Sequence, residues 1–440
     1  MFGFHVRLGL KSLKRNPVLT ALMIGAIGLG VGVCLTTLNV YYLVSGNPIR
    51  SKNDVLFAVQ LDSWDPADPW DDENPARPPP ELTHRDATAV LASEIPARSV
   101  VMHKGAFVLA PGEEDSEVKP YIVELRLTPG DFFAMFNTPF KYGSGWDERA
   151  DANGDAVIVL SKDTNDKVFG GEDSVGRSIK LDDREYRVVG VLDEWTPVPK
   201  FYDLNNGAFD EIEEGFIPFS RSEMLEVSSA GNTNCWKPES INSYREFLTS
   251  ECVWIQAWVE LPTAAKVAEF QSWLDSYVGE QKKLGRFQRP LNNRLTRPDE
   301  WLQVNEVVSD DNRVLLGISF MFLAVCLLNT VGLLLAKFSG AAAVISLHRA
   351  LGASRALIFR QHMIEVSIVG IAGGVLGVAL GYLGLIGLRQ LYNGYEEVTR
   401  LHWDVAIVSL CMALIAGVLA GLYPTWRIMR LQPAPYLKTQ

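Results

Sequence analysis

The chain has 440 residues, of which 48% are apolar, and a formal net charge of −11. The charge is divided, since residues 46–312 hold 48 of the 52 acids and 27 of the 41 bases, which leaves the rest basic. The sequence has no phosphate-binding Gly-x-x-x-x-Gly-Lys-Ser/Thr run and no His-Glu-x-x-His, Gly-x-Ser-x-Gly or Cys-x-x-Cys run. We therefore expect no catalytic residues, cofactor or metal in this chain, and no nucleic-acid partner.

The N-terminal residues 1–16 are predicted to form an amphipathic helix that lies on a membrane surface. Phe2, Val6, Leu10 and Leu13 fall on one helical face, with basic residues opposite. A disordered basic tail is the alternative.

Four long runs of the sequence contain no Asp, Glu, Lys or Arg. About 20 helical residues span a ~30 Å hydrocarbon core, so each run is long enough to cross a bilayer. No small-residue cleavage site follows the first run, which we interpret as a retained membrane helix rather than a signal peptide. The runs are Val18–Val44, Val314–Ala336, Val366–Leu388 and Val405–Trp426.

Basic residues cluster at the ends of these runs and predict the orientation of the spans. Lys and Arg next to membrane helices mark the cytoplasmic side, whereas long domains cross regardless of their charge. All three clusters fall on one side of a topology with four spans, so both termini are predicted inside and the acidic segment outside. The clusters are Arg7, Lys11, Lys14 and Arg15; Lys337, Arg349, Arg355 and Arg360; and Arg427, Arg430 and Lys438.

The predicted fold class is a membrane protein: an α-helical bundle of four transmembrane helices, with a large α+β domain between the first and second. In chain order the predicted segments are the interfacial helix 1–16, the first span 17–45, the exterior domain 46–303, a stalk with the second span 304–337, a cytoplasmic helix segment 338–360, the third span 361–390, an exterior loop 391–402, the fourth span 403–427 and a cytoplasmic tail 428–440.

Alternating and periodic patterns predict the elements of the exterior domain. Residues 55–61, 155–160 and 252–261 are predicted strands, and residues 178–192 a hairpin that turns at Asp182-Asp183. Ser161 is the expected cap of a helix that Gly170-Gly171 ends. A longer helix is predicted from about Thr263 to Leu284.

Glycines recur at four-residue spacing in the third and fourth spans, a pattern that lets helix backbones approach closely. Close packing within one subunit and an interface that slides or joins subunits both fit. Asn329 is the most polar residue of the second span, and its amide needs a partner in the bundle or across a dimer. The glycines are Gly370, Gly373, Gly374, Gly377, Gly381, Gly384, Gly417 and Gly421.

The segment 345–365 is basic and broken at Gly352, with Ser354 placed to cap a second helix. This pattern predicts a helix, a sharp turn and a second helix on the cytoplasmic side. Such an element could be a handle for a soluble partner or an ordinary basic anchor loop.

Five cysteines are present, and Cys34, Cys326 and Cys411 lie in predicted spans. Cys235 and Cys252 lie outside, where the predicted topology provides an oxidising compartment. We expect a disulfide between these two, and the alternative is a pair of free thiols.

Two cytoplasmic motifs carry a family resemblance. HRALGASRALIFRQHMIE at 348–365 resembles the loop after the second span of the MacB/FtsX/LolCE-type (type VII, mechanotransmission) bacterial ABC transporter permeases. The start of the chain, the order of the spans and residues 155–192 are also similar to MacB-type members. The family's closing pattern YP-x-WR-x-x-R-x-x-P is met by Tyr423, Pro424, Trp426, Arg427, Arg430 and Pro433.

This resemblance implies two paired permease subunits, identical or different, in the bacterial inner membrane with its lipid, and a dimeric ABC ATPase that holds ATP and Mg²⁺. The exterior domain would be periplasmic, with porter-like and β-rich subdomains, and would work with a periplasmic adaptor and an outer-membrane exit duct. Because no fused ATPase domain is found, the ATPase is expected to be a separate polypeptide. It would dock on Arg349, Ala350, Leu351, Gly352, Ala353, Ser354 and Arg355.

The first functional interpretation is a MacB-like exporter of peptides, drugs or other amphiphiles. Lipoprotein extraction, as in LolCE-type members, is an alternative within transport. An FtsX-like regulator of a periplasmic hydrolase, which moves no substrate, is an alternative of another class, although an exterior domain of this size is nearer that of MacB.

Overall fold

The computed structural model describes residues 9, 11–112, 118–307, 310–391, 401 and 403–430. The chain divides into two compact units, and each is described by itself. The helical unit comprises Met1–Ser45 and Val308–Gln440, and the sheet domain comprises Gly46–Val307. The predicted loop 391–402 and tail 428–440 lie mostly outside the described residues, as do residues 1–8 and 10 of the predicted interfacial helix; residues 11–15 are helical.

The helices are numbered in chain order from the first long helix. They are α1 Pro17–Val44, α2 His84–Leu91, α3 Asp131–Met135, α4 Glu148–Asn153, α5 Lys162–Phe169, α6 Arg221–Met224, α7 Tyr244–Thr249, α8 Ala264–Lys283, α9 Pro298–Val304, α10 Asp310–Gly340, α11 Ala342–Ala350, α12 Arg355–Leu391 and α13 Trp403–Met429. Short 3₁₀ helices occupy Arg50–Lys52 and Phe201–Asn206.

The strands all belong to the sheet domain. They are β1 Leu56–Gln60, β2 Arg98–Pro111, β3 Tyr121–Thr128, β4 Phe140–Gly143, β5 Val157–Leu160, β6 Ser178–Leu181, β7 Arg184–Leu192, β8 Gly215–Pro218, β9 Gln256–Glu260 and β10 Arg294–Thr296.

Within the described residues, four helices of the helical unit are long and apolar enough to cross a membrane: α1, α10, α12 and α13. Their contacts use the glycines of the sequence pattern. Gly373, Gly377 and Gly381 of α12 face Ile27, Val31 and Leu35 of α1, and a Cβ atom at each glycine would lie 2.7 Å from that partner side chain. The glycine spacing therefore serves close packing within this chain.

The side chains of α10 are less buried within this chain than those of α1. Leu328 is 70% exposed and Met321 is 63% exposed, and Asn329 also lies on the exposed surface of the helix. The amide of Asn329 is thus not buried in the bundle of this chain, which removes one of the two partners expected for it.

The strands described form one ten-stranded sheet in the order β10-β1-β9-β2-β3-β8-β5-β7-β4, with β6 paired to β2 and β7. The long strand β2 joins its two halves. Residues Arg98–Met102 pair with β9, and residues His103–Leu109 pair with β3. The β3–β8 and β5–β7 pairs are parallel and the other pairs are antiparallel.

Local signals in the sequence placed several elements correctly. The hairpin of β6 and β7 turns at Asp182 and Asp183, whose φ angles are 47° and 65°, as its tight turn requires. Ser161 accepts a hydrogen bond from the Thr164 amide at the start of α5, and Gly170 ends that helix in the left-handed conformation. Thr263 caps α8 in the same way, by accepting from the Lys266 amide.

The strand predicted at 252–261 is shorter in the structure, because β9 begins only at Gln256. Residues before it make isolated bridges to two different segments, Leu82↔Ile255 and Asn234↔Val253. Backbone hydrogen bonds to these two segments take the place of a continuous β-ladder. The local sequence of residues 252–255 does not predict these distant partners.

Candidate functional site

A sharp turn connects α11 and α12 outside the long helices of the helical unit. We call residues 342–358 the elbow. Gly352 has a φ of +97°, a conformation that favours glycine, and follows Leu351, the C-cap residue of α11. The Ser354 hydroxyl accepts a hydrogen bond from the Leu357 amide at 3.2 Å and so caps α12. The predicted break at Gly352 and the predicted cap at Ser354 are both confirmed.

Apolar side chains of the elbow lie on its surface rather than in the bundle. Val344, Leu347 and Leu351 are 39%, 49% and 78% exposed, and their spacing of three and four residues puts them on one face of α11 and its end. On the other face, Ala342 and Ile345 are buried. An exposed apolar stripe of this kind is what an amphipathic helix presents to a groove on a partner.

The two arginines predicted to flank the turn have different surroundings. Arg355 is exposed at the first turn of α12. Arg349 is half-buried, and its guanidinium donates to the Met429 carbonyl at the end of α13 at 3.5 Å. Arg349 therefore holds the elbow against α13, while Arg355 is available at the surface. The predicted segment occupies α11, the turn and the start of α12: Arg349, Ala350, Leu351, Gly352, Ala353, Ser354 and Arg355.

A buried ion cluster lies between the last turn of α10 and the N-terminal third of α12, and the sequence reasoning missed it. Lys337 and Glu365 form an ion pair and are 5% and 1% exposed. The other oxygen of the Glu365 carboxylate lies 3.2 Å from Nδ1 of His362. Ser12 donates its hydroxyl to Glu365 at 2.8 Å. The cluster thus joins the N-terminal segment, α10 and α12 through one carboxylate.

Charges buried between membrane helices are expensive unless they are paired, so such residues mark structural or functional links. The sequence offered one signal for this cluster, since Lys337 and Glu365 stand at the ends of two apolar runs predicted to meet the same side of the membrane. From the sequence alone, Lys337 indicates only the orientation of the second span. The contact connects Glu365, which directly precedes the charge-free run of α12, to Lys337 in the last turn of α10, shortly before the elbow.

In the sheet domain, Cys235 and Cys252 form a disulfide in the structure, with their Cα atoms 4.2 Å apart. The bridge fixes the loop that contains Trp236, whose indole donates to the Ser63 carbonyl at 3.0 Å. Cys34, Cys326 and Cys411 are free thiols. No group of three or more His, Cys, Asp or Glu residues placed to hold a metal is found in the described part of the chain.

Two family models match the chain, and together they cover both units. The model of the MacB-like periplasmic core domain matches residues 20–277, and the model of the FtsX-like permease C-terminal domain matches residues 316–433. The first match alone covers more than half of the chain. The chain belongs to the MacB/FtsX family of ABC transporter permeases.

Curated MacB-type relatives are distant in sequence. A macrolide export ATP-binding/permease protein MacB from Rhodopirellula baltica is 25% identical over 290 residues, which are 64% of this chain and 40% of that protein. The pyoverdine export ATP-binding/permease protein PvdT from Pseudomonas aeruginosa is 22% identical over 370 residues, which are 83% of this chain and 49% of that protein. The chain spans about half the length of the curated relatives that it matches.

Among solved structures, the periplasmic region of MacB from Actinobacillus actinomycetemcomitans matches 59% of this chain and 95% of its own, at 14% identity and with a TM-score of 0.37. The family assignment rests on the two family models. The residues of the elbow lie within the FtsX-like match, and the sheet domain up to residue 277 lies within the MacB-like match.

Proposed function

We propose that this permease couples ATP hydrolysis on a separate ABC ATPase dimer, which holds ATP and Mg²⁺, to movement of its sheet domain on the other side of the bacterial inner membrane. The movement drives export of an amphiphilic substrate. The observation that carries the proposal is the elbow, whose apolar stripe is exposed between two membrane-length helices and beside a basic cluster. Such a surface fits a soluble partner that binds from the cytoplasm and pushes on the helices.

The ion cluster supplies the link from the elbow to the bundle. Because Glu365 contacts Lys337, His362 and Ser12, a push on the start of α12 reaches α10 and the N-terminal segment without a flexible joint between them. Packing of α12 on α1 through three glycines extends this rigid contact along the membrane helices. The long helices, rather than a channel, would carry the motion outward.

The test compares two leucines of similar exposure. Leu351→Asp places a charge on the elbow, where the side chain is 78% exposed, and Leu284→Asp is the control at the end of α8, where it is 74% exposed. Both variants are expected to insert and fold normally. Leu351→Asp should abolish co-purification of the ATPase and substrate-stimulated ATP hydrolysis, and Leu284→Asp should retain both. Equal behaviour of the two variants would exclude the elbow as the docking surface.

Gly352→Trp tests the same surface through the backbone. A side chain at this φ is strained, although nothing lies within 4 Å of the position that a Cβ atom would take. We expect loss of ATPase coupling with normal membrane insertion. Normal substrate-stimulated ATPase activity and transport in this variant would contradict the docking role.

The proposed orientation has both termini and the elbow in the cytoplasm and the sheet domain in the periplasm. Ala350→Cys, in a chain whose Cys34, Cys326 and Cys411 are replaced by serine, gives a single free thiol, because Cys235 and Cys252 are bridged. A membrane-impermeant maleimide should label it only in opened cells. Labelling in intact cells would overturn the topology.

A second permease subunit, identical or different, is proposed on the open face of α10. The exposed amide of Asn329 and the apolar side chains beside it fit a neighbouring helix better than lipid alone. For an identical partner, Asn329→Cys should form an intermolecular disulfide in membranes and a cysteine at the buried position Leu334 should not; for a different partner, the second cysteine is introduced into that chain. A periplasmic adaptor and an outer-membrane exit duct complete the proposal; their co-purification with the tagged permease is the test of that arrangement.

A further inference from the structure

The sheet domain contains a cleft of about 850 Å³ that no part of the coupling proposal uses. It lies between α2 with the start of β2 on one side and α3, α4 and the β8–α6 turn on the other. Small-molecule sites usually measure about 300–1,000 Å³, so the cleft has the size of a site for a drug-like ligand.

The walls of the cleft are partly aromatic and firmly held. Trp146 and Phe219 both line it and are each 8% exposed. The Trp146 indole donates to the Asp151 carboxylate at 2.6 Å, and the other Asp151 oxygen accepts from the Gly130 amide at 2.8 Å. Leu91 adds an aliphatic side chain to the opposite side. This arrangement offers preformed apolar contact to a ligand.

The charge of the lining is strongly one-sided. Among the described residues of the lining, the only cation of fixed charge is Arg98, whose guanidinium pairs with Glu260 outside the cleft at 2.8 Å and lies 3.9 Å from the Asp131 carboxylate within it. Burial lowers the pKa of His84, so this residue is neutral at pH 7. The carboxylates of the lining are Asp131, Asp147, Glu148, Asp151 and Glu223.

These acids differ in the hydrogen bonds that they accept within the sheet domain. Asp147 caps α4 by accepting from the Ala150 amide at 3.0 Å, and Asp151 holds Trp146 and Gly130. Burial raises the pKa of Asp151 to about 6. Glu148 and Glu223, by contrast, are exposed at the rim. Asp131 and Asp147 are also exposed, but Asp131 lies beside Arg98 and Asp147 caps α4, so Glu148 and Glu223 are the acids best placed to pair with a ligand.

Two hydroxyls add an unsatisfied polar element to the same lining. In the described part of the chain, the Ser93 and Ser220 oxygens are buried without a hydrogen-bond partner. Buried polar atoms normally have partners, so these positions suit a polar group of a bound molecule or water. The cleft thus combines aromatic walls, an acidic rim and free hydroxyls.

From this combination we infer that the cleft binds an amphiphile that carries a basic amine, with its apolar body against Trp146 and Phe219 and its ammonium group between Glu148 and Glu223. The inference rests on the proposed export function and specifies its substrate class. An anionic ligand is disfavoured, because the acids outnumber Arg98 and Arg98 is already paired.

The experiment measures binding of two fluorescent probes to the full chain in nanodiscs, with empty nanodiscs as the blank. Dansylcadaverine carries an ammonium group and dansylglycine carries a carboxylate on the same fluorophore. Dansylcadaverine should bind at least about tenfold more tightly, and raising the salt concentration should weaken its binding, because rim charges are screened over about 10 Å at 0.1 M salt.

Two pairs of variants locate the site. Glu148→Gln/Glu223→Gln should weaken dansylcadaverine binding by roughly tenfold, since each partly solvated charge contributes about threefold. The matched control Glu172→Gln/Glu185→Gln removes two exposed acids outside the cleft and should change nothing. Ala152→Trp should fill the cleft mouth and abolish binding, whereas Ala268→Trp on the exposed surface of α8 should not.

Equal binding of the two probes, or wild-type affinity in both Glu148→Gln/Glu223→Gln and Ala152→Trp, would overturn the inference. The elbow variant Leu351→Asp separates the two proposals, because it should bind dansylcadaverine normally while it loses ATPase coupling. If the cleft does not bind dansylcadaverine, the measurements of ATPase coupling are unaffected. If the elbow does not couple to the ATPase, binding of dansylcadaverine to the cleft is unaffected.

Discussion

The helical unit and the sheet domain form their closest contacts with different kinds of residue. In the helical unit, the helices approach most closely at glycines: Gly370 and Gly417 bring α12 and α13 so close that a Cβ atom at Gly417 would lie 2.8 Å from the Gly370 Cα. In the sheet domain, one of the cores is a cluster of aromatic rings around Phe132. The ring centroid of Phe132 lies within 6 Å of the ring centroids of Phe133, Phe136, Trp195, Tyr202 and Phe216.

The difference follows from the two surroundings. Lipid tails are as apolar as leucine, so helices in a bilayer gain little from burying large apolar surfaces and depend on close van der Waals contact. A domain in water gains about 25 cal/mol for each Å² of apolar surface that it buries, which favours large rings. The two units should therefore respond differently to the same kind of substitution.

The largest expected effect is truncation of the aromatic core. Phe132→Ala removes a ring that is fully buried, and we expect a loss of about 3–5 kcal/mol, equivalent to roughly 10 °C in the unfolding temperature of the sheet domain. Ile122→Ala, at a position 73% exposed, is the control and should change little. Thermal unfolding of the detergent-purified chain, followed by tryptophan fluorescence, measures both. A small shift for Phe132→Ala would show that the core collapses around the gap.

Loss of the disulfide should have the next largest effect and should be confined to the sheet domain. Cys235→Ser/Cys252→Ser opens a link across 17 positions, which corresponds to about 3 kcal/mol in the chain-entropy model. Cys411→Ser is the control in the helical unit. Mass spectrometry of wild-type protein alkylated without reduction should find Cys235 and Cys252 in one cross-linked peptide. Their appearance in separate alkylated peptides would mean that no bridge forms.

Filling a helix contact should cost about 1–3 kcal/mol or more, because a packed interface has no room for an added side chain. Gly417→Leu introduces such a side chain against Gly370, whereas Gly317→Leu on α10 meets nothing within 4 Å. The first should lower the temperature at which the purified chain remains monodisperse by size-exclusion chromatography. The second should have no such effect. Equal stability of the two variants would show that the close contact between Gly370 and Gly417 does not stabilise the helical unit.

A buried carboxyl gives an effect that depends on pH and is the smallest of the four in mildly acidic solution. Burial, with the nearby charge of Asp203, raises the pKa of Glu81 to about 8, while the Gln256 amide donates to it at 2.7 Å. Arg126, which pairs with Asp203, acts in the opposite direction. Between the unfolded pKa near 4.5 and about 8, the folded state holds a proton that the unfolded state has lost, so stability falls as the pH rises through this range.

Glu81→Gln keeps the neutral form at every pH. It should therefore raise the stability of the sheet domain by about 2 kcal/mol at pH 6 and leave it nearly unchanged at pH 4. The exposed substitution Glu172→Gln controls for the loss of one negative charge. Unfolding temperatures over a pH series are the measurement. A parallel pH dependence in wild type and Glu81→Gln would show that Glu81 titrates normally in the folded chain.

Sequence reasoning was strongest where a few consecutive residues decide the structure. The turn at Asp182 and Asp183, the cap at Ser161 and the break at Gly352 depend on backbone preferences of the residues themselves. It failed where the partner comes from elsewhere. Residues 252–255 have the composition of a strand, but they form isolated bridges to Leu82 and Asn234 instead of a continuous ladder.

The sequence by itself determined four membrane-length helices, the large domain between the first two, and the exposed turn that separates α11 from α12. These features depend on hydrophobic length and on glycine or capping residues, which act over a few neighbours. Only the tertiary structure decided that Glu365 meets both Lys337, 28 positions away, and Ser12, 353 positions away, and that α2, α4 and the start of β2 enclose an acidic cleft. Such contacts depend on the path of the whole chain, because residues far apart in sequence come together only when every intervening element has packed.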